Sequence, residues 1–526
     1  MRESTPHTAL DTDVLIVGYG PVGQTTAALL ASRGHRVAVY ERFAQLYDLP
    51  RAVYFDDEIM QVWQAVGIAG EIDVIPARSY QWFGADGELI LRMEHPPVGP
   101  SGWEPGYTFY QPSLERALDR AVRALPTVEV HRGWSAEALE EAGDHVEVTL
   151  RRVHEPDAGR VEPTAETTTV RARYVIGADG ANSFVRDAAG IGFVDQGFAE
   201  RWLVVDLLPH DIEALSSIPP HGQWCDPARP HMHTRNGLHH RRFEFMLLPG
   251  EQPEDFADAA RVWELLAPWF APADGVLVRH AVYEFRARLA DTMRAGRLLL
   301  VGDAAHTMPP FMGQGLSSGV RDAANLAWRL DLVLRGSAGD RLLDSYTTER
   351  QPHDAWIVNV SAEMGRVSCT LDPQAAAERD AALRAAEAPP ALALPPLGDG
   401  MLVPGMPLAG TRAVQGLIRL GETEGRFDDV VGKDFVLLTR RTADLPPEDA
   451  ELLERIGARA VALDELHDLD GRLTAWLDQH RVEAVVVRPD AYVFGAVEAL
   501  DALPALVDHL RAHLTITESR ITADAR

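Results

Sequence analysis

Only two cysteines occur in 526 residues, Cys225 and Cys369, far apart and in no metal or redox spacing. That excludes a disulfide scaffold, a zinc ribbon and CxxC redox chemistry, so a cofactor must carry any electrons the chain moves. Basic residues are also scarce: 50 Lys and Arg face 78 Asp and Glu, a formal charge of −28. Such a surface repels nucleic acid and anionic lipid and favours solubility. No apolar run reaches transmembrane length, and the polar segment from Met1 to Asp11 contains no signal-peptide core. The expectation is a soluble cytoplasmic enzyme with no membrane or nucleic-acid partner.

What is present begins with Asp13 to Glu41. Val14 to Val17 is a short apolar run, read as a buried parallel strand, and Gly18-Tyr19-Gly20-Pro21-Val22-Gly23 follows it. A helical stretch then runs to Ser32, Gly34 stops it, and Arg36 to Tyr40 forms a second strand ending in Glu41. This is a βαβ unit with a dinucleotide fingerprint. Gly18 makes the tight turn, Gly20 lets backbone approach a pyrophosphate, and Gly23 allows close helix–strand contact. The phosphate sits at the helix N-terminus, and Glu41, roughly twenty residues on, accepts hydrogen bonds from a ribose.

Further along, Arg173 to Ile176 is an apolar strand running into Gly177-Ala178-Asp179-Gly180, and Arg116 to Ala124 has helical character. Strand-like stretches dominate from Gly192 to Phe285. Arg297 to Val301 is a strong strand closed by Gly302-Asp303-Ala304-Ala305-His306, followed by a loop with Pro309, Pro310, Gly313 and Gly315 and a helix from Ser317 to Leu334. Asp303 at the strand end can bind a chain of hydroxyls, and the helix N-terminus near Gly315-Leu316 can face an anion such as a reduced flavin. The same pattern also describes a structural turn in which Asp303 is a cap, and residue chemistry alone leaves both readings open.

The set Gly18–Gly23, Gly177-Ala178-Asp179-Gly180-Ala181-Asn182-Ser183 and Gly302–His306 resembles the signatures of single-component flavoprotein aromatic hydroxylases. The resemblance implies that the first motif, with Gly18, Gly20, Pro21, Gly23, Glu41 and Arg42, holds the ADP part of FAD. Asp179 and Gly180 are associated with FAD and the nicotinamide cofactor. Asp303 holds the ribitol, Pro310, Gly313, Gly315 and Leu316 follow around the flavin, and Arg51 and Gln111 match positions that contact FAD. Pro309 shapes the substrate pocket, and His306 is expected to be positional. Within the family the chain is most similar to 3-(3-hydroxyphenyl)propionate hydroxylases, through Pro50-Arg51-Ala52 with Asp56-Asp57-Glu58, Arg241–Met246 with Pro249-Gly250-Glu251, and Arg488-Pro489-Asp490.

The implied reaction uses NADH or NADPH and O2: the nucleotide reduces FAD, oxygen adds at flavin C4a, and a hydroxyl passes to a phenolic ring. The alternative is a polyketide- or antibiotic-tailoring hydroxylase or a Baeyer–Villiger enzyme of the same fold. No second GxGxxG unit appears, so the nicotinamide cofactor is expected to lack its own Rossmann domain. There is no Trp-x-Trp-x-x-Ile-Pro run of the flavin halogenases.

The implied architecture is α/β. A Rossmann-like FAD-binding domain (1–190 and 286–371) is interleaved with a substrate-binding β-sheet domain (191–285, plus strands about 76–105). An Ala- and Pro-rich linker (372–407, with Pro389, Pro390, Pro395, Pro396, Pro404 and Pro407), read as a helix followed by an extended connector, leads to a thioredoxin-like domain (408–526) with no cysteines. That last domain is expected to serve packing or homodimer support.

The segment His221 to Arg242 is unusually basic, with Asp226 its only acid. It is read as a solvated loop and hairpin whose bases pair elsewhere, with a basic substrate mouth as the competing reading. Alternation puts His240, Arg242, Glu244 and Met246 on one face of a strand and Arg241, Phe243, Phe245 and Leu247 on the other. The Phe/Leu face is expected to be core, and His240 and Arg242 are the candidates for substrate contact. No metal is expected: His231-x-His233 offers too few ligands.

Overall fold

The computed structural model describes residues 10–157, 159–216, 218–386 and 393–514. Residues 1–9 and the prolines Pro389 and Pro390 lie outside the described residues. Two eight-stranded sheets dominate. In the first, the apolar strand Thr12–Val17 lies between Val37–Glu41 and the end of Arg160–Gly177, which in turn neighbours Leu298–Leu300, all parallel. Their run of Val, Ile and Leu is that of strands covered on both faces. Val17 pairs with Gly177, and Gly177 with Leu300. This register brings Gly18, Ala178-Asp179 and Gly302-Asp303 side by side at the carboxyl ends of adjacent strands, where open α/β sheets bind ligands.

The second sheet is built around two long antiparallel strands, Phe193–Pro209 and Gly275–Ala290. It continues through His240–Met246, His231–Asn236 and His221–Trp224 to Ser79–Phe83 and Leu89–Glu94. One face buries Phe243, Phe245 and Leu247 with Phe256, Val262 and Leu266, so the expected apolar face is core. The other faces the flavin-binding region: Met246 joins Phe198, Trp202, Phe311 and Val358 in an apolar cluster.

Two helices go beyond the sequence reading. Asp57–Val66 begins at Asp56, whose side chain accepts from Ile59 N, carries Asp57 and Glu58 in its first turn and ends at Gly67 in the left-handed region. Asp344–Ser368 runs 25 residues with Pro352 inside it. The linker starts with a helix, as expected, at Pro373–Ala385, and that helix is tied down: Arg384 pairs with Asp86 and Arg379 donates to the Cys225 carbonyl.

After it a four-stranded sheet forms in the order Arg459–Ala462, Val436–Thr439, Ala484–Val487, Val493–Val497, the first pair parallel and the rest antiparallel. Its faces are both buried. Leu437, Val486 and Phe494 join the core that contains Trp328 and Leu330 of the helix Gly315–Leu334, while Leu438, Val485 and Val493 face their own helices. The unit therefore shares a core with the flavin-binding region.

Candidate active site

At the three-loop edge, Gly18 has φ +103°, and a Cβ there would lie 2.3 Å from the Ala178 carbonyl oxygen. A Cβ on Gly23 would lie 2.3 Å from the Gly18 carbonyl oxygen. Gly20 differs: no atom lies within 4 Å of where its Cβ would be. The open side of Gly20 thus sits before the helix Pro21–Ala31, whose first turn has no acid and no side-chain cap, with Pro21 lacking an N–H by nature. This is an anion cradle. Glu41 accepts from Tyr19 N (2.8 Å) and Phe43 N (2.9 Å), which fixes its carboxylate and leaves lone pairs for ribose hydroxyls. Arg42 is exposed, over the Phe43 ring. Asp179 turns inward: it accepts from Ser183 Oγ (2.5 Å) and Val185 N (3.1 Å), bracing the loop at Gly180 (φ +81°).

A second wall is the segment Pro50-Arg51-Ala52. The Gln111 carboxamide oxygen accepts from Arg51 N (3.0 Å) and Ala52 N (2.7 Å), while its amide donates to Glu115. The Pro50 carbonyl takes donors from Arg242 (2.8 Å) and Arg279 (2.7 Å), and the Arg51 carbonyl takes one from Arg242 (2.5 Å). So held, the segment presents an exposed Arg51 side chain over Tyr47.

The third wall carries Asp303. No hydrogen-bond donor among the described residues reaches its carboxylate, which is open on the cleft side and crowded elsewhere. That crowding raises its pKa against the pull of His306 and Arg51. Such a carboxylate is suited to a ribitol. Asp303→Ala is expected to weaken FAD binding by about 1.5–3 kcal/mol, roughly ten- to a hundredfold in Kd, the usual loss for a hydrogen bond to a charged group. Fluorescence titration of apoprotein with FAD reads this, and an unchanged Kd removes Asp303 from the site.

Beyond Asp303, the Pro309 carbonyl is pinned by Ser361 Oγ at 2.6 Å, and Pro310 opens the turn that ends at Gly313 (φ +66°), close against Tyr54. The helix Gly315–Leu334 then starts with no side-chain cap on its first N–H groups, so Gly315 and Leu316 offer a positive end to an anionic ring. Gln314 there is held by Arg321, itself paired with Asp56 and Glu58.

Underneath lies a buried network that the sequence reading reached only at His306. Asp322 accepts from Gly302 N (2.9 Å), His306 (2.7 Å) and Arg350 (2.9 Å), and Arg350 also pairs with Asp354 (2.5 Å). Burial alone would lower the His306 pKa, but Asp354 and Asp322 raise it to about 9, so the ring is a cation that fixes the Gly-Asp turn. His306, Asp322 and Asp354 bring ligand atoms within 4.8 Å of one another, yet the cation bridging both carboxylates is Arg350. Charged residues in the middle of an otherwise apolar helix, such as Asp322 and Arg329, were the available signal.

These walls fit FAD, with a close-packed phosphate loop, an open Gly20, an unpartnered Asp303 and an uncapped helix. Residues 11–361 match the family model described as an FAD binding domain, and residues 410–513 match the HcaD C-terminal domain. A probable NADH-specific resorcinol 4-hydroxylase of Rhodococcus jostii is 39% identical, covering 97% of this chain and 96% of that protein. The chain belongs to the FAD-dependent aromatic hydroxylases. A 3-(3-hydroxy-phenyl)propionate/3-hydroxycinnamic acid hydroxylase of Mycobacterium sp. is 34% identical, over 94% of this chain and 91% of that one. The fold is that of the flavin-dependent monooxygenase PieE, solved with FAD and substrate (TM-score 0.80, 23% identity, 97% of this chain and 100% of that chain).

For a member of this hydroxylase family the basic stretch takes on a different meaning. Its core is interior: His231 and His233 are buried among Trp224, Phe243, Phe245 and Trp269, while the turn at Leu238 and His239 is exposed. The arginines have partners, with Arg229 on Glu251, Arg235 on Glu213 and Arg241 on the Ile218 and Pro219 carbonyls. The two residues expected to touch substrate are engaged as well. His240 stacks on Tyr110 at 3.8 Å, beside Gln111, and Arg242 is buried, gripping Asp206 and the carbonyls of Pro50 and Arg51. Their face meets the flavin cradle at this end of the strand, through the Pro50 and Arg51 carbonyls.

FAD is the cofactor that the family match assigns to this hydroxylase, and the Rhodococcus relative is named for NADH. Among the described residues no helix is long and apolar enough to cross a membrane.

Proposed function

We propose that this hydroxylase acts on a small monocyclic phenol, adding one hydroxyl to the ring, with NADH as the preferred electron donor. The 39% identity across 97% of the chain to a relative named for NADH and resorcinol carries this reading. Bound FAD supplies hydride acceptance and oxygen activation. The chain's own residues cradle the cofactor through Gly18 to Gly23, Glu41, Arg51 and Asp303, and exclude water through the Phe198, Trp202, Met246 and Phe311 cluster. Tyr54, Tyr80 and His221 supply an aromatic, polar boundary for the ring: His221 lies 4.7 Å from Tyr80 and 6.3 Å from Tyr54.

The C-terminal unit is read as thioredoxin-like, supported by its four-strand order, and as a packing element. Its shared core and lack of cysteines favour that role. A cytoplasmic location belongs to the same proposal.

A substrate panel tests the reading. FAD-loaded protein is given NADH or NADPH with resorcinol, 3-(3-hydroxyphenyl)propionate or a polycyclic quinone. Faster NADH oxidation with a monocyclic phenol, and an extra hydroxyl in the product, is the expected result. Stimulation by the polycyclic compound alone moves the enzyme to the tailoring class.

A further inference from the structure

The strand Gly275–Ala290 runs across the cleft from one wall to another. Near one end Arg279 donates to the Pro50 carbonyl (2.7 Å); near the other, Arg288 and Leu289 pair with Thr307 and His306, just before Pro309. Arg279, Asp206 and Arg242 stand opposite one another on three neighbouring strands, so their side chains share the face turned to the cradle. Ala281, Tyr283 and Phe285 follow Arg279 along that face by alternation, and each is only half-buried. Val282, between them, packs against the core of the opposite face.

Arg279 is 8% exposed, yet among the described residues no carboxylate comes within ion-pair distance of it. Its Nη1 is taken by the Pro50 carbonyl. Its Nε and Nη2 meet no acceptor among those residues, and neither is sealed from water. The exposed Arg51 guanidinium lies 4.2 Å from the centre of the Tyr47 ring, and Tyr47 is within electrostatic reach of Arg279. Burial lowers the Arg279 pKa; Tyr47 and Asp206 oppose this, and the Arg242 and Arg51 guanidiniums add to it. A largely buried cation with spare N–H groups beside two other cations is a site for an anion.

Three guanidiniums here face two carboxylates, and Arg242 takes both, Asp206 at 2.8 Å and Glu244 at 3.5 Å. The surplus is positive on a chain whose formal charge is −28. Arg279 grips the same Pro50–Arg51 segment that walls the flavin cradle, so its anion lies beside the flavin. The half-buried strand face admits a ligand that enters from solvent and leaves again. A nicotinamide dinucleotide must do both and carries a diphosphate. The chain has no second glycine fingerprint to hold that diphosphate on a helix N-terminus, so side-chain cations are needed. Tyr283, 4.9 Å from the Arg279 guanidinium, adds a flat surface for a nucleotide ring.

We infer that Arg279, with Arg51 beside it, receives the diphosphate of NADH on the cleft face of the strand Gly275–Ala290. The inference rests on NADH as electron donor in the proposed function and assigns that donor a binding site.

The test follows anaerobic flavin reduction of FAD-loaded protein over a range of NADH concentrations with saturating resorcinol. ADP-ribose, which carries the diphosphate without the nicotinamide, is titrated separately by calorimetry. Arg279→Gln is expected to raise the Kd of NADH and of ADP-ribose at least about tenfold, with FAD content and resorcinol Kd as in the parent. Arg279→Lys, which keeps the charge but not the planar fork, should fall between. An unchanged NADH Kd in Arg279→Gln overturns the inference. So does a folded variant that loses FAD, which would give Arg279 to the flavin's own phosphates. Weakened 3-(3-hydroxyphenyl)propionate binding with unaltered NADH binding overturns it too, by making Arg279 a receptor for a substrate carboxylate. In the parent, ADP-ribose should compete with NADH; failure to compete contradicts the inference even if both variants fold poorly. If NADH reduces the parent's flavin but no phenol gains a hydroxyl, the proposed function falls and this inference stands. If NADH does not reduce the flavin, both fall.

Discussion

Gly18→Ala is expected to give a protein that takes up no FAD. The position has φ +103°, a region that an L side chain rarely adopts, and its Cβ would meet Ala178 O at 2.3 Å and Ala178 C at 2.6 Å. Both are backbone atoms in a strand-end loop fixed by the register Val17↔Gly177, so neither can swing aside as a side-chain tip would. Relief requires separating the two loops that make the phosphate cradle. Gly20→Ala is the matched control. Its Cβ enters open space, so the protein should fold as the parent does and lose FAD affinity only through the volume lost to the phosphate. The flavin-to-protein absorbance ratio after purification, with circular dichroism for folding, reads both variants. A yellow Gly18→Ala protein with the parent's flavin content contradicts the cradle.

Arg488→Ala is expected to cost the most stability. Arg488 is fully buried and donates to Glu349 Oε1 (2.8 Å), Glu349 Oε2 (2.9 Å), Asp490 Oδ1 (2.9 Å) and the Met401 carbonyl (2.9 Å). Removing it leaves two carboxylates out of water beside Trp328 and Asn325, where Arg329 can answer only part of the charge. Breaking a buried pair in this way costs about 3–5 kcal/mol. Because Glu349 belongs to the helix Asp344–Ser368 and Arg488 to the C-terminal unit, the loss should fall on the docking of that unit against the flavin-binding region. Arg488→Lys keeps the charge but not the planar fork, so an intermediate loss is expected. Urea denaturation of the holoprotein checks the series; a loss below about 1 kcal/mol for Arg488→Ala, the scale of an exposed pair, contradicts the assignment.

The parts of the site that could be read from sequence are those whose logic is local. Gly18, Gly20, Gly23 and Glu41 follow one another along a single βαβ unit, and the Gly-Asp turn follows a strong strand, so spacing alone orders them. The two faces of His240–Met246 were equally legible, because alternation is a property of one strand. The helix Asp57–Val66 also had its signals, an Asp cap and a closing Gly67, inside a stretch that reads as mixed.

What could not be read is partnership at long range. Arg242 meets Arg51 and Pro50 from 191 and 192 residues away, and nothing near Arg242 in the chain announces it. The same holds for Asp322 with Arg350 and for Arg488 with Glu349. The basic stretch pairs with acids elsewhere, as expected, through Glu251, Glu213 and Asp206, but that pairing takes a segment that looks solvated largely into the interior. The Pro-rich composition after Asp372 marks a change of unit along the chain, but composition cannot reveal that both units bury side chains in one core.

The central claim is that this chain places oxygen from O2 on a phenolic ring using FAD. The direct measurement is turnover of FAD-loaded protein with NADH and resorcinol under 18O2, followed by mass spectrometry of the product. The account predicts NADH oxidation that depends on the phenol and a trihydroxybenzene carrying one 18O atom. NADH oxidation with no hydroxylated product, or a product whose new oxygen comes from water, would contradict it.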